Sequence, residues 1–315
     1  MKHLILLSAT VMIFCSTSYA QAPELSVAKY KADKDCATSF TFDDGLIEHK
    51  TIVAPELQKR GWRGTFWICG AKVDGEQKSA PAYMTWEQIA SLAADGHEVS
   101  NHGWNHKKLS KLSPERIREE VDKNDSAIFV HTGRKPTTFC YPYNSKNEQV
   151  LEIAGKGRVG TRTRQYAFGQ AVDHSKTVKR MDDAIRNREW AVWMTHGITT
   201  GYDSFNEPER FTAFLDYVQS VEDKVWVGTF HEVASYQKER ENLQFTLRQK
   251  GKKWIVSLKL DLDSVLYDQK LTLILGDDKD RVQVKQGHRK LDVYYKNGKA
   301  LVDFDPYGDD LSIKF

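Results

Sequence analysis

A regular alternation of short apolar runs with amphipathic stretches constrains the fold of this chain most strongly. Apolar or β-branched runs typical of strands lie at 37–42, 64–68, 97–100, 138–141, 158–161, 191–195 and 225–230. Between them, apolar residues recur with the helical period. Strands that alternate with helices form parallel sheets, because each helix crosses back over the sheet before the next strand begins. The sequence therefore predicts an α/β, barrel-like fold for this part of the chain.

The last quarter of the chain has a different period. From about residue 242, apolar and polar residues alternate one by one, as in strands that bury a single face. These runs lie at 244–247, 254–260, 271–275, 281–285, 291–296, 300–304 and 311–315, and turns such as Lys296-Asn297-Gly298 separate them. The pattern predicts a small antiparallel β-sandwich. We assign residues 21–240 to the barrel, 241–315 to a β-sandwich accessory domain, and 232–240 to a helical linker.

The N-terminal 20 residues have the composition of an export signal. Lys2 and His3 precede an apolar run over 4–15, and a polar stretch then ends in small residues around Ala20. This run is too short to span a bilayer, and no later run reaches the ~20 apolar residues that a membrane helix needs. Cys15 follows the bulky Phe14, which does not suit lipoprotein cleavage. We therefore expect a periplasmic or secreted protein with no transmembrane segment and no lipid anchor.

Charge and cysteine content exclude several classes of partner and cofactor. The 46 basic and 43 acidic residues give a net charge of +3 and are interspersed, so no nucleic-acid or membrane-surface partner is expected. Beyond the export signal, the cysteines are Cys36, Cys69 and Cys140. Because their number is odd and each lies in or beside an apolar run, we predict no functional disulfide. Their spacing fits no zinc cluster, which leaves Asp and His as the candidate metal ligands.

An acidic pair marks the end of the first predicted strand. Asp43 and Asp44 follow the run 37–42 directly, and Gly45 comes next. Adjacent carboxylates repel each other, so such a pair persists most readily where a cation neutralises one and leaves the other free to act as a base. Alone, this tripeptide is more often a simple turn. Its place at the carboxyl end of a predicted barrel strand makes it a candidate site.

Histidines follow two other predicted strands. His102 and His106 come after the run 97–100, and their four-residue spacing lets two imidazoles converge on one ion. With Asp44 they form a two-histidine, one-carboxylate donor set. His196 follows the run 191–195. A parallel barrel assembles its site at the carboxyl ends of its strands, so all these side chains are expected on one face.

At these residues the chain resembles the NodB-type polysaccharide deacetylases, carbohydrate esterase family 4. Segment 41–45 is similar to the first motif of that family, and the resemblance implies that Asp43 is the general base and Asp44 a metal ligand. Segment 102–106 is similar to the second motif, whose histidines hold the metal, with Asn105 where Ser or Thr is usual. The resemblance covers roughly residues 35–240. It implies a distorted sevenfold (β/α) barrel.

Two later segments resemble further motifs of the family. Segment 139–144 is similar to the third motif, which implies that Pro142 forms a wall of the site and that the backbone N–H of Tyr143 holds the oxyanion. Segment 193–198 is similar to the last motif, which implies that His196 protonates the leaving group. The fourth, Asp-based motif is not located in this sequence.

Cys140 is the largest departure from the family pattern. It occupies the place of an arginine that, in the family, pairs with the catalytic aspartate. Arg162 and Arg164 follow the next predicted strand, 158–161, on the same rim of the barrel. We expect one of them to reach Asp43 in place of the missing arginine.

The resemblance implies an exported, metal-dependent deacetylase. Its expected cofactor is a divalent metal, Zn²⁺, and its expected substrate an N- or O-acetylated polysaccharide or oligosaccharide. Trp104, inside the histidine segment, is a candidate sugar-stacking residue. One alternative keeps the barrel and metal but hydrolyses a non-carbohydrate amide, which the missing third-motif arginine favours. Another is a catalytically silent glycan-binding protein, in which Asp43 and His196 would have no purpose.

Overall fold

The computed structural model describes residues 22–74, 82–169, 172–277 and 282–315. The predicted export signal, with Cys15, lies outside these ranges. Among the helices within them, none combines the length and the apolar composition that a membrane crossing requires.

Strands and helices alternate as far as residue 242, and only strands follow among the described residues, as the sequence pattern predicted. The barrel strands are β2 (Cys36–Phe42), β3 (Thr65–Ile68), β4 (Glu98–Asn101), β5 (Thr138–Cys140), β6 (Gly160–Arg162), β7 (Tyr166–Ala167), β8 (Trp190–Thr195) and β9 (Val225–Val227). The helices are α1 (Ala54–Lys59), α2 (Trp86–Ala94), α3 (Pro114–Thr132), α4 (Glu148–Gly155), α5 (His174–Asn187), α6 (Pro208–Ser220) and α7 (Phe230–Asn242). The remaining strands are β1 (Ser26–Val27), β10 (Gln244–Lys250), β11 (Lys253–Lys259), β12 (Leu271–Asp277), β13 (Gln283–Gln286), β14 (Arg289–Leu291), β15 (Val293–Lys296), β16 (Lys299–Phe304) and β17 (Leu311–Lys314).

The barrel is a curled sheet of parallel strands in the order β6-β5-β4-β3-β2-β8-β7. On one side, β2 pairs with β8 along most of its length. On the other side of β2, its first residues pair with β9 and its last residues pair with β3. The sheet therefore divides into two branches at β2. No ladder joins β6 to β7 within the described ranges, and the barrel is open between them. The predicted distorted barrel is therefore confirmed.

Burial explains why these segments form strands. All seven residues of β2 are buried, as is every residue of β3. Strands of a parallel sheet covered by helices are buried on both faces and are therefore apolar throughout. The barrel core packs aromatic rings around Phe40 and Phe42 against side chains of α6, including Phe211 and Phe214. This core fixes the strand ends that carry the candidate site.

Several strand boundaries differ from the sequence prediction by one to three residues, and the run predicted at 291–296 divides between β14 and β15. The predicted run 225–230 ends as a strand at Val227, because the Thr229 side chain accepts a hydrogen bond from Glu232 N–H and begins α7. The strand predicted at 158–161 corresponds to β6, which begins two residues later and ends one residue later, so Arg162 belongs to the sheet.

The predicted β-sandwich is also confirmed. One antiparallel sheet has the order β10-β11-β17-β13-β14 and the other β1-β12-β16-β15, and both contribute to one apolar core. Strand β1 precedes the barrel in sequence but pairs with β12. From α7, Tyr236 is fully buried in the sandwich core, and its hydroxyl donates to the Ala28 carbonyl at 2.9 Å. The sandwich therefore packs closely on the barrel.

Candidate active site

Side chains from four strand ends meet in one cavity. Asp43 follows β2, His102 follows β4, and His196 follows β8, while Tyr143 lies three residues beyond β5. All line a cavity of about 840 Å³, together with Asp44 and His106. The carboxyl ends of parallel strands meet at one edge of a barrel, which accounts for this convergence.

A donor cluster forms around one oxygen of Asp44. Its Oδ1 lies 3.3 Å from His106 Nε2 and 3.6 Å from His102 Nε2. The Nδ1 of His102 donates to the Cys140 carbonyl at 2.8 Å, so its Nε2 keeps a free lone pair. Burial lowers the pKa of His106 to about 4, and it also lowers the pKa of His102 although Asp43 and Asp44 oppose it. Neutral imidazoles and a carboxylate are the donor chemistry that suits a divalent metal such as zinc.

Three site residues adopt backbone conformations that are unusual for residues other than glycine. Asp44, His106 and Tyr143 have φ values of 79°, 53° and 57°. Such left-handed conformations cost about 1–3 kcal/mol each and persist where the surrounding structure enforces them. Here they turn the chain in the loops beyond the strand ends, and all three residues line the cavity.

Asp43 forms a buried ion pair with Arg162. Arg162 Nη1 donates to Asp43 Oδ1 at 2.7 Å, and Nη2 contacts Oδ2. Strand register explains the contact, since Arg162 on β6 pairs directly with Cys140 on β5. Burial would raise the pKa of Asp43, but the charge and hydrogen bonds of Arg162, together with smaller contributions from His102 and His196, outweigh burial and hold that pKa below its usual value. Arg164 is exposed and lies outside this cavity.

The side chains of two neighbouring residues, Glu48 and His49, form hydrogen bonds to the backbone of the loop that carries His196. His49 Nε2 donates to the His196 carbonyl at 2.6 Å. The Glu48 carboxylate accepts hydrogen bonds from the N–H groups of Ile198 and Thr199 at 2.6 and 2.9 Å. His196 Nδ1 is buried and finds no hydrogen-bond partner in the part of the chain that the structure describes. Glu48 and His49 were not predicted, because nothing local distinguishes them from helix residues.

Two further residues of the site were not predicted either. Cys69 and Lys72 follow β3, and Lys72 Nζ donates to Asp44 Oδ2 at 2.9 Å. Because Lys72 occupies Oδ2, the other carboxylate oxygen, Oδ1, is the one that faces His102 and His106. Cys69 Sγ lies 3.8 Å from Asp44 Oδ1 and groups with Asp44 and the two histidines within ligand distance of one another. The rule that placed the other residues, position after a strand end, would have found Cys69.

The predicted aromatic and proline walls take different positions. Trp104 is absent from the cavity lining, and its ring packs beneath Lys123, whose Nζ lies 4.3 Å from the ring centroid. Pro142 is buried beside Gly103. The Tyr143 side chain is 61% exposed and packs on His106, with ring centroids 4.5 Å apart. Of the two residues predicted from this segment, Tyr143 lines the cavity and Pro142 does not.

Asn105 retains a supporting hydrogen-bond role. Its backbone N–H and its side-chain amide each donate to the buried Glu120 carboxylate at 2.7 Å. These bonds fix the loop between the two histidines. The substitution of Asn for the usual Ser or Thr therefore keeps this loop tied to α3.

A second cavity of about 860 Å³ opens at the gap between β6 and β7. Arg164, Tyr166 and Trp190 line it. Neither Asp43 nor any of the histidine donors faces it, so the chemistry is concentrated in the first cavity. Asn144 and Gln165 line both cavities and form the boundary between them.

Sequence comparison gives a family match. The polysaccharide deacetylase family model matches residues 30–159. A peptidoglycan-N-acetylglucosamine deacetylase from Listeria monocytogenes is 33% identical over 44% of this chain and 27% of its own length. A gellan lyase from a Bacillus species is 24% identical over 80% of this chain and 11% of its own length. The chain therefore spans only a small part of either relative.

Comparison with solved structures gives the same fold. A wild-type CE4 family pseudoenzyme from Bacillus anthracis superposes with a TM-score of 0.51 at 19% identity, covering 64% of this chain and 66% of the other. At this identity the likeness concerns the fold alone.

Proposed function

Because this chain carries a polysaccharide deacetylase domain, as its motifs predicted, we propose that it is a metal-dependent hydrolase that removes acetyl groups from acetylated carbohydrate. One observation carries the proposal. A buried, ion-paired carboxylate, Asp43, and a cluster of three metal donors, Asp44, His102 and His106, face the same open cavity. A base beside a metal site is an arrangement that catalyses hydrolysis of an amide or ester.

The three donors would hold a divalent ion, which we propose to be Zn²⁺, and the ion when bound would supply Lewis acidity to water and to the acetyl carbonyl. Asp43 would accept the proton of the attacking water. Arg162 keeps this carboxylate ionised and fixes its direction, since the guanidinium contacts both carboxylate oxygens. A positioned base typically contributes about 10²–10⁴ in rate.

The other side of the cavity would serve the oxyanion and the leaving group. The backbone N–H of Tyr143 would donate to the developing oxyanion, a contribution of about 10²–10³ in rate. His196 lines the same cavity and would protonate the leaving amine or alcohol. The hydrogen bonds that Glu48 and His49 make to this loop would keep the imidazole in place.

We propose an acetylated polysaccharide or oligosaccharide as the substrate. Tyr143 and Tyr202 stand at the cavity with 61% and 78% of their surface exposed, as suits stacking on sugar rings. The exposed ring of Tyr202 lies 5.2 Å from His196, centroid to centroid. The relatives that match this chain include proteins named as peptidoglycan and chitin deacetylases, and peptidoglycan is a polymer outside the cytoplasmic membrane. We accordingly propose export to the periplasm or beyond.

The two alternatives have less support. A non-carbohydrate amidase was favoured by the missing third-motif arginine, and Arg162 supplies the same charge from the neighbouring strand. A silent glycan-binding protein would agree with the fold of the pseudoenzyme from Bacillus anthracis. Such a protein needs neither an ion-paired base nor a cavity histidine, and this chain has both.

Acetate release tests the proposal. The purified full chain, loaded with zinc, is incubated with chitin oligosaccharides, peptidoglycan, acetylated xylan and an N-acetylated peptide. We expect acetate from at least one carbohydrate, and none after the metal is removed by a chelator. Acetate from the peptide alone would support the amidase, and no acetate from any substrate would contradict the proposal.

A further inference from the structure

We propose that the Cys69 thiolate is a fourth ligand of the metal and makes the site selective for zinc-like ions over magnesium and manganese. This inference rests on the proposed metal-dependent function. It adds a residue that the sequence analysis excluded, because the spacing of the three cysteines matches no zinc cluster. In the folded chain Cys69 lies among the donors although it is distant from them in sequence.

Distances support the assignment. One ligand atom from each of Asp44, Cys69, His102 and His106 lies within 4.8 Å of all the others. Around Asp44 Oδ1, the separations are 3.3 Å to His106 Nε2, 3.6 Å to His102 Nε2 and 3.8 Å to Cys69 Sγ. Tetrahedral zinc with ordinary bond lengths separates oxygen from nitrogen by about 3.4 Å and oxygen from sulfur by about 3.6 Å. Small side-chain shifts would bring all four atoms onto one ion.

The backbone around Cys69 is held on both sides. The Asn124 side chain accepts from Gly70 N–H at 3.0 Å and donates to the Ile68 carbonyl at 2.7 Å. Gly70 allows this close packing, because a Cβ there would lie 2.3 Å from the Trp104 ring. Cys69 is 0% exposed, and its thiol meanwhile makes a weak hydrogen bond to the His102 carbonyl at 3.3 Å. The sulfur is thus positioned before any metal binds.

The sulfur approaches from the buried side of the donor cluster. Asp44, His102 and His106 line the cavity, and Cys69 does not. Four protein ligands would leave water or substrate a fifth position on the open side, a coordination number that zinc accepts during catalysis. A coordinating thiol loses its proton, and thiolate is a soft ligand that magnesium and manganese do not favour. The predicted result is a preference for zinc, cobalt and cadmium.

Cys140 and Cys36 provide matched controls. Cys140 Sγ lies 3.9 Å from Asp43 Oδ2, and Arg162 already occupies that carboxylate. Although Cys140 groups with Asp43 and His102, it is therefore beside the ion pair and not beside Asp44. Cys36 is buried at the start of β2, at the opposite end of that strand from Asp43.

Cobalt spectroscopy tests the proposal. Metal-free full chain is titrated with Co²⁺ under reducing conditions, together with Cys69→Ser, Cys140→Ser and Cys36→Ser. We expect a near-ultraviolet sulfur-to-cobalt charge-transfer band in the wild type and in both controls. We expect the band to be lost in Cys69→Ser, which retains its visible cobalt bands through the other ligands. Affinity of that variant for cadmium should fall by at least about 10–100-fold, the loss that removal of a mere outer-shell partner of a metal already causes.

Several results would overturn the proposal: no cobalt binding or no charge-transfer band in the wild type, a band that survives in Cys69→Ser, or one that is lost in Cys140→Ser. If Cys69→Ser fails to fold, X-ray absorption of the wild-type zinc form decides, with a sulfur neighbour expected at about 2.3 Å and only nitrogen and oxygen neighbours contradicting it. Acetate release is measured on the same samples. Deacetylation without sulfur ligation overturns the role of Cys69 alone, and sulfur ligation without deacetylation contradicts the proposed function alone.

Discussion

Replacing Arg162 with Met removes the positive charge that neutralises the buried Asp43 carboxylate. The two side chains are 2% and 5% exposed, so water cannot replace the lost guanidinium. Breaking a buried ion pair by removing one partner costs about 3–5 kcal/mol, because the other charge is left uncompensated. We therefore expect the free energy of unfolding of Arg162→Met to fall by about that amount at neutral pH.

The sign of the pH dependence follows from the pKa of Asp43. In the wild type, burial would raise this pKa, and Arg162, with smaller contributions from His102 and His196, outweighs burial and lowers it. The ion pair thus stabilises the wild type fully above the usual aspartate pKa, and this contribution is lost as pH falls through the lower, folded value. In Arg162→Met the pKa rises, so Asp43 takes up a proton at higher pH. The stability difference between wild type and variant should shrink in acid.

The pH dependence of activity should also reflect the raised pKa of Asp43 in the variant. The acidic inflection of kcat/KM against pH should move upward in Arg162→Met, and below it the rate should fall by about 10²–10⁴, because the protonated carboxyl is no base. Arg164→Met is the matched control, since it removes the same charge from an exposed position two residues away. Urea unfolding at several pH values and pH–rate profiles at equal zinc content measure both effects. Identical profiles for the two variants would refute the role of Arg162.

Three other predictions address the metal, the acid and the domain packing. Asp44→Ala, His102→Ala and His106→Ala should each lose zinc by elemental analysis, and a triple variant that retained one equivalent would place the metal elsewhere. His196→Ala should lower kcat more for acetylated sugar amines than for activated aryl acetates, whereas equal losses would argue against an acid role. Tyr236→Ala should cost about 3–5 kcal/mol in chemical unfolding, because this fully buried ring joins α7 to the sandwich core, and a loss below about 1 kcal/mol would contradict that packing.

Much of the site was predictable because strand ends are visible in sequence. Asp43 and His196 directly follow predicted strands and His102 lies two residues beyond one, and parallel topology brings such positions to one edge. The alternation of periods likewise identified the barrel and the sandwich. Strands β1 and β7 were missed, since two residues carry no periodic signal.

The remainder depended on register and on contacts distant in sequence. The choice between Arg162 and Arg164 required the pairing of β6 with β5, and the predicted strand ended one residue too early to supply it. Lys72 reaches Asp44 from a loop after β3 that carries no recognisable motif. Cys69 was set aside on spacing within the sequence, although spatial proximity and not spacing decides which residues share a metal.

The most direct test of the proposed mechanism compares wild type with Asp43→Asn at equal, measured zinc content on one acetylated oligosaccharide. The amide keeps the shape of the carboxylate but accepts no proton, so the variant should bind zinc, keep its circular dichroism spectrum and release acetate about 10²–10⁴-fold more slowly. Equal rates of acetate release by the two proteins would contradict the assignment of Asp43 as the base and, with it, the proposed mechanism.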